Sequence, residues 1–302
     1  MTGQKAPSLE GGSMYSIFTD TDTDTTKQIA EHYGYRLISM PYAVDTTEVK
    51  PYEDFDEFDS HTFYDMLRSG VMPRTSSISE LNYIDYFEPD FKAGRDILYV
   101  HFSRNNSSTF QAMDRAVETL KKKYPGREFY EIDARAISVG ALAIVCEVGD
   151  MYLAGKDIPE ILRWAETEVD HFAAYFFVDD LKFLQRSGRV GGVAGFVGNL
   201  LGVRPMLYMS AAGNLETVGK EKGRPNAMHR LVSYVEELGQ DIEKHRIIIG
   251  HADVPELVER LKHMLIERFG ENLRIETVLI NPTVGCHSGP DTLGLSFHAI
   301  HR

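Results

Sequence analysis

From Tyr15 onward, short runs of β-branched and aromatic residues alternate with longer segments whose apolar residues recur at the 3.6-residue period of a helix. This alternation is typical of folds in which crossover helices connect parallel strands. The predicted strands of the first half are YSIFTD, LISMPYAV, ILYVHFS and EFYEID, and the predicted helices cover 26–33, 60–68, 79–92, 107–123 and 136–154. The pattern therefore predicts an α/β N-terminal part built on a parallel sheet.

A boundary between two units is expected near residue 155. Gly155 closes a long apolar segment, as glycine does at many helix C-termini. Asp157 and Glu160 then have the spacing of a helix N-cap and its capping-box partner. The sequence predicts two domains, 14–155 and 156–302.

The second unit shows strands of a different arrangement. Its predicted strands are AAYFFV, VRPMLYM, NLETVGK, RIIIGH, RIETVLI and LGLSFHAI, with helices over 225–239 and 254–269. A turn at Ala212-Gly213 joins two of these strands so closely that they must pair antiparallel. We therefore expect a C-terminal α/β domain with a mixed sheet.

Charge and cysteine usage narrow the possible partners. The 302 residues contain 32 Lys and Arg against 45 Asp and Glu, a net charge of −13. This charge repels phosphate backbones and anionic lipid headgroups, so we expect no nucleic-acid partner and at most transient membrane contact. Cys146 and Cys286 are not a CxxC pair, and we expect both thiols to be reduced. With no export or membrane-spanning pattern, we expect a cytoplasmic location.

Common catalytic patterns are absent from the chain. GxxxxGK[ST], GxGxxG, GxSxG and HExxH do not occur, and no metal-ligand spacing is seen.

The remaining candidates for a functional site are hydroxyl side chains in predicted loops. Ser107 follows the strand ILYVHFS as the expected N-cap of a helix whose free N–H groups can hold an anion. Thr75 and Ser76 precede a helix capped by Ser79, while Asp20 and Thr21 end the first strand, where open α/β sheets bind ligands. Ordinary capping or loop roles are the alternatives for each.

Two further segments suggest a ligand site. In GCHSGP, two glycines and a proline predict a tight backbone around His287, which can hydrogen-bond an anion or be a surface turn residue. Arg224 suits a carboxylate or phosphate, although solvated arginines are common. The segment LQRSGR leads into the apolar, glycine-rich stretch 191–202, which is typical of an irregular cavity wall or of an ordinary core.

Taken together and in this order, several motifs resemble the DegV family over Tyr15 to Ile300. They are TDTDTD, PRTSSIS, NSSTFQAM, VDDLKFLQRSGRV, NLLGVRPMLYMSAAGNLETVGKEKGRP and GCHSGP. The resemblance implies a two-domain α/β fold that holds a long-chain fatty acid between the domains. It also implies a carrier without catalytic residues, metal or cofactor, which presents the carboxylate to a separate ATP-dependent fatty acid kinase for acyl-phosphate formation.

The resemblance also assigns residues. The carboxylate-binding set is Thr75, Ser76, Ser107, Ser108, His287 and Arg224. The tunnel or supporting set is Asp20, Thr21, Gly188, Arg189, Phe196, Leu200, Leu201, Gly285 and Ser288. This chain departs from the family pattern at Ser77, Ser108 and Asp291, and a carboxylate at Asp291 is expected to favour the imidazolium form of His287.

Two other hypotheses stay open. Ser107 and His287 could act as nucleophile and base on an acyl or phosphoryl ester, although no third group is placed to orient the histidine. The acidic N-terminal region could instead serve a regulatory or chaperone-like module. The sequence leaves open the chain length and saturation of the fatty acid, the oligomeric state, the identity of the kinase, and the role of the acidic segment Glu53 to Asp59.

Overall fold

A computed structural model describes residues 15–51, 58–191 and 202–302 and arranges their strands in three sheets. In chain order the strands are β1 Tyr15–Asp20, β2 Arg36–Ile38, β3 Tyr42–Val44, β4 Thr47–Val49, β5 Arg74–Thr75, β6 Asp96–His101, β7 Phe129–Asp133, β8 Phe172–Phe177, β9 Val190–Gly191, β10 Val203–Met209, β11 Leu215–Lys222, β12 Arg246–His251, β13 Arg274–Leu279 and β14 Leu293–His298. The α-helices are α1 Lys27–Tyr33, α2 Ser60–Arg68, α3 Glu80–Lys92, α4 Thr109–Lys123, α5 Val139–Leu153, α6 Ile158–Glu168, α7 Leu181–Ser187, α8 Gly223–Leu238, α9 Pro255–Phe269 and α10 Pro282–Ser288. Short 3-10 turns cover Thr21–Thr23, Arg104–Asn106 and Val169–His171.

The N-terminal part contains the predicted parallel sheet. Its strand order is β2-β1-β6-β7, and all three pairings are parallel. In β6 the run Ile97–Val100 is fully buried, as expected for a strand covered on both faces. This sheet places the ends of β1 and β6 side by side, and the loops after them face the same edge.

The predicted strand LISMPYAV is wrong as a single element. It divides at Pro41, which has no amide hydrogen to continue a ladder, into β2 and β3 of different sheets. β3 pairs antiparallel with β4 and β5 in a small sheet that the pattern did not indicate. Its register places Tyr42 opposite Thr75.

The C-terminal part is built on a mixed sheet, as predicted. Its order is β13-β12-β14-β8-β10-β11-β9. β10 and β11 form the expected antiparallel hairpin, in which Gly213 takes a positive φ of 77° at the turn. β12 and β13 are parallel, whereas β14 runs antiparallel to β12 and β8.

Helix α5 lies between the two large sheets. It contacts β6 on one side and β8, β12 and β14 on the other. Small residues allow this approach: a Cβ on Gly140 would lie 2.8 Å from that of Ala174 on β8, and one on Gly250 of β12 would lie 2.5 Å from Val139. One core cluster consequently runs from β1 and β6 through α5 to β8 and β10. The division into domains 14–155 and 156–302 stays a prediction.

None of the helices in the described ranges is both long and apolar enough to cross a bilayer.

Candidate functional site

A cavity lies where the carboxyl edge of the parallel sheet, helix α10 and the mixed sheet meet. Its empty volume is about 1010 Å³ with the mouth included. Apolar wall residues are Met40, Phe102, Ile137, Val139, Ala174, Phe176, Leu184, Leu215, Ile280 and Val284. Polar lining residues are Asp22, Thr75, Ser76, Asn106, Ser107, Ser138, Ser187, Arg189, Thr283, His287, Ser288 and Thr292. Most of the surface that faces the cavity is apolar, although eight of the described lining residues carry hydroxyls; small-molecule pockets commonly combine apolar walls with polar groups.

His287 reaches the cavity from the last turn of α10. The expectation of a tight turn around it is wrong, because Asn281 caps a helix here: its Oδ1 accepts from the N–H groups of Thr283 and Val284 at 2.9 and 3.1 Å. Gly285, one of the predicted supporting residues, lets this helix pack closely, since a Cβ there would lie 2.8 Å from the Tyr64 hydroxyl.

Thr75 and His287 come together although they are 212 residues apart. The Thr75 Oγ1 lies 3.0 Å from the His287 Nε2. Burial, with the positive charges of Arg189 and Arg186, lowers the pKa of His287 to about 4, so its imidazole is neutral at pH 7.

The expected effect of Asp291 on His287 is wrong. The Asp291 carboxylate accepts hydrogen bonds from Arg68 at 2.7 Å and from Arg224 at 2.8 Å instead. The negative charge of Asp291 is therefore paired with Arg68 and Arg224, and this ion-pair group does not belong to the described lining of the cavity.

Ser107 lines the cavity and caps helix α4, as expected. It is extended, and its Oγ accepts from the Thr109 N–H at 3.2 Å, whereas Ser108 already has helical dihedral angles and makes no side-chain cap bond. Ser108 points to the surface, where its Oγ lies 3.2 Å from the Ser77 Oγ. This contact and the bond from the Ile78 N–H to the Thr109 Oγ1 hold the loop of Thr75 and the loop of Ser107 side by side.

The remaining predicted polar residues divide into two groups. Ser76, Ser288 and Arg189 line the cavity with Thr75 and Ser107. Arg224 does not appear in the described lining, because its guanidinium is held by Asp179 at 2.7 Å and by Asp291. The carboxylate contact predicted for Arg224 has no counterpart in this geometry.

Asp20 and Thr21 support the site from behind the lining. The Asp20 Oδ2 accepts from the Tyr99 hydroxyl at 2.9 Å and from the Phe102 N–H at 3.3 Å, and burial raises the pKa of this carboxyl to about 7. Thr21 accepts from the Met40 N–H at 2.9 Å.

Gly188 ends α7 with a φ of 65°. The predicted tunnel residues Phe196, Leu200 and Leu201 lie outside the described residues, as does most of the acidic segment Glu53 to Asp59.

Sequence reasoning missed three residues next to this support. Asp24 accepts from the N–H and the side-chain amide of Asn281 at 2.9 and 2.8 Å and from the Ser138 hydroxyl, so it ties α10 to the start of α5. Ser138 lines the cavity with a φ of 57°, unusual for a residue with a Cβ. Asp22 lines the cavity as well. The signal was present in the repeated acids of TDTDTD directly after a buried strand.

A group of metal-ligand types within the described residues, His61, Asp65 and Asp253, lies at the surface. Arg68 donates to both aspartates at 2.6 and 2.7 Å. These contacts indicate an ion-pair group.

A family model describing uncharacterised DegV family proteins matches residues 14–299. The chain belongs to the DegV family. It is 33% identical over 284 residues to a DegV domain-containing protein of Clostridium perfringens, which covers 94% of this chain and 97% of the relative. The resemblance seen in the motifs is confirmed.

Solved structures of DegV proteins share this fold. A DegV lipid-binding protein from Thermotoga maritima superposes with a TM-score of 0.79 at 23% identity, covering 95% of this chain and 99% of the other. A stearic acid-binding protein from Eubacterium ventriosum gives 0.83 at 19% identity, with 94% and 98% covered. A fatty acid-binding DegV protein from Bacillus subtilis gives 0.79 at 21%, with 94% and 99% covered. At these identities the similarity establishes the α/β architecture with its parallel and mixed sheets.

Proposed function

We propose that this DegV protein binds a long-chain fatty acid and presents the carboxylate to a separate ATP-dependent kinase, which forms the acyl phosphate in the cytoplasm. The observation that carries the proposal is the Thr75–His287 pair beside Ser107 in a chamber whose other walls are largely apolar. The fatty acids bound by the Eubacterium and Bacillus proteins support the ligand class, because the fold is shared.

The apolar walls suit an acyl tail. About 15 methylenes at about 0.8 kcal/mol each supply on the order of 12 kcal/mol of transfer free energy before ordering costs. The tail thus provides most of the affinity, and the hydroxyls need only orient the headgroup.

The polar patch suits a carboxylate that must remain reactive. Ser107 can donate through its hydroxyl. The neutral His287 has one N–H, and when this is Nε2–H it donates to the Thr75 Oγ1 and leaves the Thr75 hydroxyl hydrogen for the carboxylate. Ser107 also caps the N-terminus of α4, where the helix dipole favours an anion. A carboxylate that is bound by neutral donors and by Arg189 stays ionised, and its oxygens remain nucleophilic.

The alternative of an ester hydrolase is less well supported. The His287 Nε2 faces Thr75, and an imidazole with a pKa of about 4 is a weak general base at neutral pH. We therefore propose a carrier without catalytic residues of its own, made of the two domains 14–155 and 156–302.

The decisive experiment compares wild type, Thr75→Val and the control Thr119→Val, which changes an exposed threonine on α4. Each protein is purified without added lipid, extracted and analysed by mass spectrometry, then assayed for acyl-phosphate formation with ATP and a fatty acid kinase. We expect all three proteins to carry a long-chain fatty acid, because one lost hydrogen bond to a charged group costs only about 1.5 to 3 kcal/mol. The kinase rate should fall about a hundredfold in Thr75→Val alone, since the carboxylate is misplaced.

Wild-type protein without a fatty acid, and without affinity for added fatty acid, would overturn the ligand class. Equal loss of ligand and of rate in Thr75→Val would show that Thr75 only retains the lipid.

A further inference from the structure

The cavity contains a carboxyl group that the proposed function does not use. Asp22 lies in the 3-10 turn Thr21–Thr23, is 8% exposed and lines the cavity. Its Oδ1 is buried and has no hydrogen-bond partner. Among the lining residues that the structure describes, it is the one carboxylic acid.

The neighbouring acids Asp20 and Asp24 each accept hydrogen bonds through their carboxylates, although the Asp20 Oδ1 also lacks a partner; no hydrogen bond to the Asp22 carboxyl is found among the described residues. Asp20 receives hydrogen bonds from Tyr99 and Phe102, and Asp24 receives them from Asn281 and Ser138. Without comparable donors, Asp22 would be a buried, unpaired anion between two other acids, which is costly.

The charges around Asp22 come from several elements. The titratable and charged groups that face this region are Asp20 and Asp24 in the same loop, Tyr83 on α3, Tyr99 and His101 on β6, Cys286 and His287 on α10, and Arg186 and Arg189 on and after α7. The first turn of α5, which packs on this loop, has no acidic residue. Burial and the charges of Asp20 and Asp24 raise the pKa of Asp22 well above its usual value, which favours its protonated form.

Asp22 lines the same cavity as the proposed headgroup residues Thr75, Ser107 and His287. Asp22 follows β1 and Ser107 follows β6, and these strands are parallel neighbours whose carboxyl ends meet at one edge. Thr21, next to Asp22, holds Met40, whose carbonyl accepts from Thr283, one helical turn before His287. Asp22, Thr283 and His287 all line the cavity.

We propose that protonated Asp22 is a specificity-determining residue that donates an O–H hydrogen bond to a carboxylate oxygen of the bound lipid. This inference rests on the proposed function. Two ionised carboxylates would repel in this buried chamber, so the pair holds one proton, and a charge-assisted O–H···O⁻ bond is strong and short. Asp22 therefore selects acyl chains whose headgroup accepts a hydrogen bond.

The test uses delipidated wild type, Asp22→Asn, Asp22→Leu and the control Asp85→Asn, an exposed acid on α3. Palmitate affinity is measured by calorimetry at about pH 7, where a free side-chain carboxyl is ionised. Asparagine keeps a donor, so Asp22→Asn should bind within about threefold of wild type. Leucine removes the donor, and Asp22→Leu should bind about 10-fold to 100-fold more weakly.

Infrared difference spectra give a second readout. With palmitate labelled by ¹³C at its carboxyl carbon, wild type and Asp85→Asn should show a protonated carboxyl band that shifts on ligand addition, and Asp22→Asn should lack it. Thermal unfolding of ligand-free Asp22→Leu should be unchanged or higher, because an unpartnered buried carboxyl is removed. This separates a ligand contact from a structural role.

If wild type binds palmitate, but Asp22→Leu binds equally well or the carboxyl band does not respond to it, Asp22 has no such role. Wild type that binds neither palmitate nor another long-chain fatty acid overturns the proposed function itself.

Discussion

His287 and Asp20 are both buried, and burial moves their pKa values in opposite directions. The neutral form is favoured in each case, so the histidine pKa falls to about 4 and that of the carboxyl rises to about 7. Near neutral pH the region around the cavity therefore contains fewer full charges than its residue types suggest. Arg189 is the permanent cation in the described lining.

Asp20 makes the stability of the ligand-free protein depend on pH. Its pKa is about 7 in the folded protein and near 3.8 in the unfolded chain. The folded state binds more protons between these values, so the stability contribution is full below 3.8 and is lost as pH rises through about 7. Asp20→Asn keeps an acceptor for Tyr99 and Phe102 without this titration. Urea unfolding at about pH 5 and about pH 8 should show that the variant gains stability relative to wild type at the higher pH.

Asp85→Asn, which changes an exposed acid, is the control and should follow wild type at both pH values. A constant stability difference between Asp20→Asn and wild type across this range would contradict the raised pKa.

At the scale of elements, α5 joins the two sheets through residues without bulk. Gly140 on this helix approaches Ala174 of β8, and Ala174 also lines the cavity. Side-chain volume at this contact therefore bears on both packing and the shape of the chamber.

Gly140→Ala should destabilise the protein, although alanine is the better helix former by about 1 kcal/mol. The new Cβ would lie 2.8 Å from the Ala174 Cβ, so the helix or the strand must shift. Overpacking of this kind costs about 1 to 3 kcal/mol. Urea unfolding measures the loss, and fatty acid affinity should fall with it. Gly219→Ala on β11, where an added Cβ meets no atom within 4 Å, is the matched control. Unchanged stability in Gly140→Ala would show that α5 is less tightly packed than described.

Elements set by local sequence could be predicted, and those set by distant contacts could not. The Ser79 cap of α3 and the Asp157–Glu160 capping box of α6 are formed within one turn and were correctly expected. The small sheet needs Tyr42 to pair with Thr75 across an intervening helix, and no local pattern indicates that pairing. Arg224 was assigned from its loop and from the family resemblance, whereas its partners Asp179 and Asp291 come from other parts of the chain.

At the scale of the whole molecule, Arg302 ties the two large parts together. Its buried guanidinium donates to the carbonyls of Ala134 and Arg135, which follow β7, and to that of Val169, which follows α6. One planar fork thus satisfies three backbone acceptors from both sides of the proposed domain boundary.

Arg302→Lys should therefore lower the free energy of unfolding, although the charge is kept. A lysine ammonium lacks the rigid fork, so at least one buried carbonyl loses its donor, at a cost of about 1 to 3 kcal/mol. Arg274→Lys is the matched control, because Arg274 is exposed and pairs only with the neighbouring Glu276 among its described contacts; it should change stability by less than about 0.5 kcal/mol.

Urea unfolding followed by tyrosine fluorescence and by circular dichroism measures both variants. If Arg302 couples the two parts, the two signals should separate into distinct transitions in Arg302→Lys while they coincide in wild type and Arg274→Lys. Coincident transitions at wild-type stability in Arg302→Lys would show that Arg302 is not needed to couple the two parts.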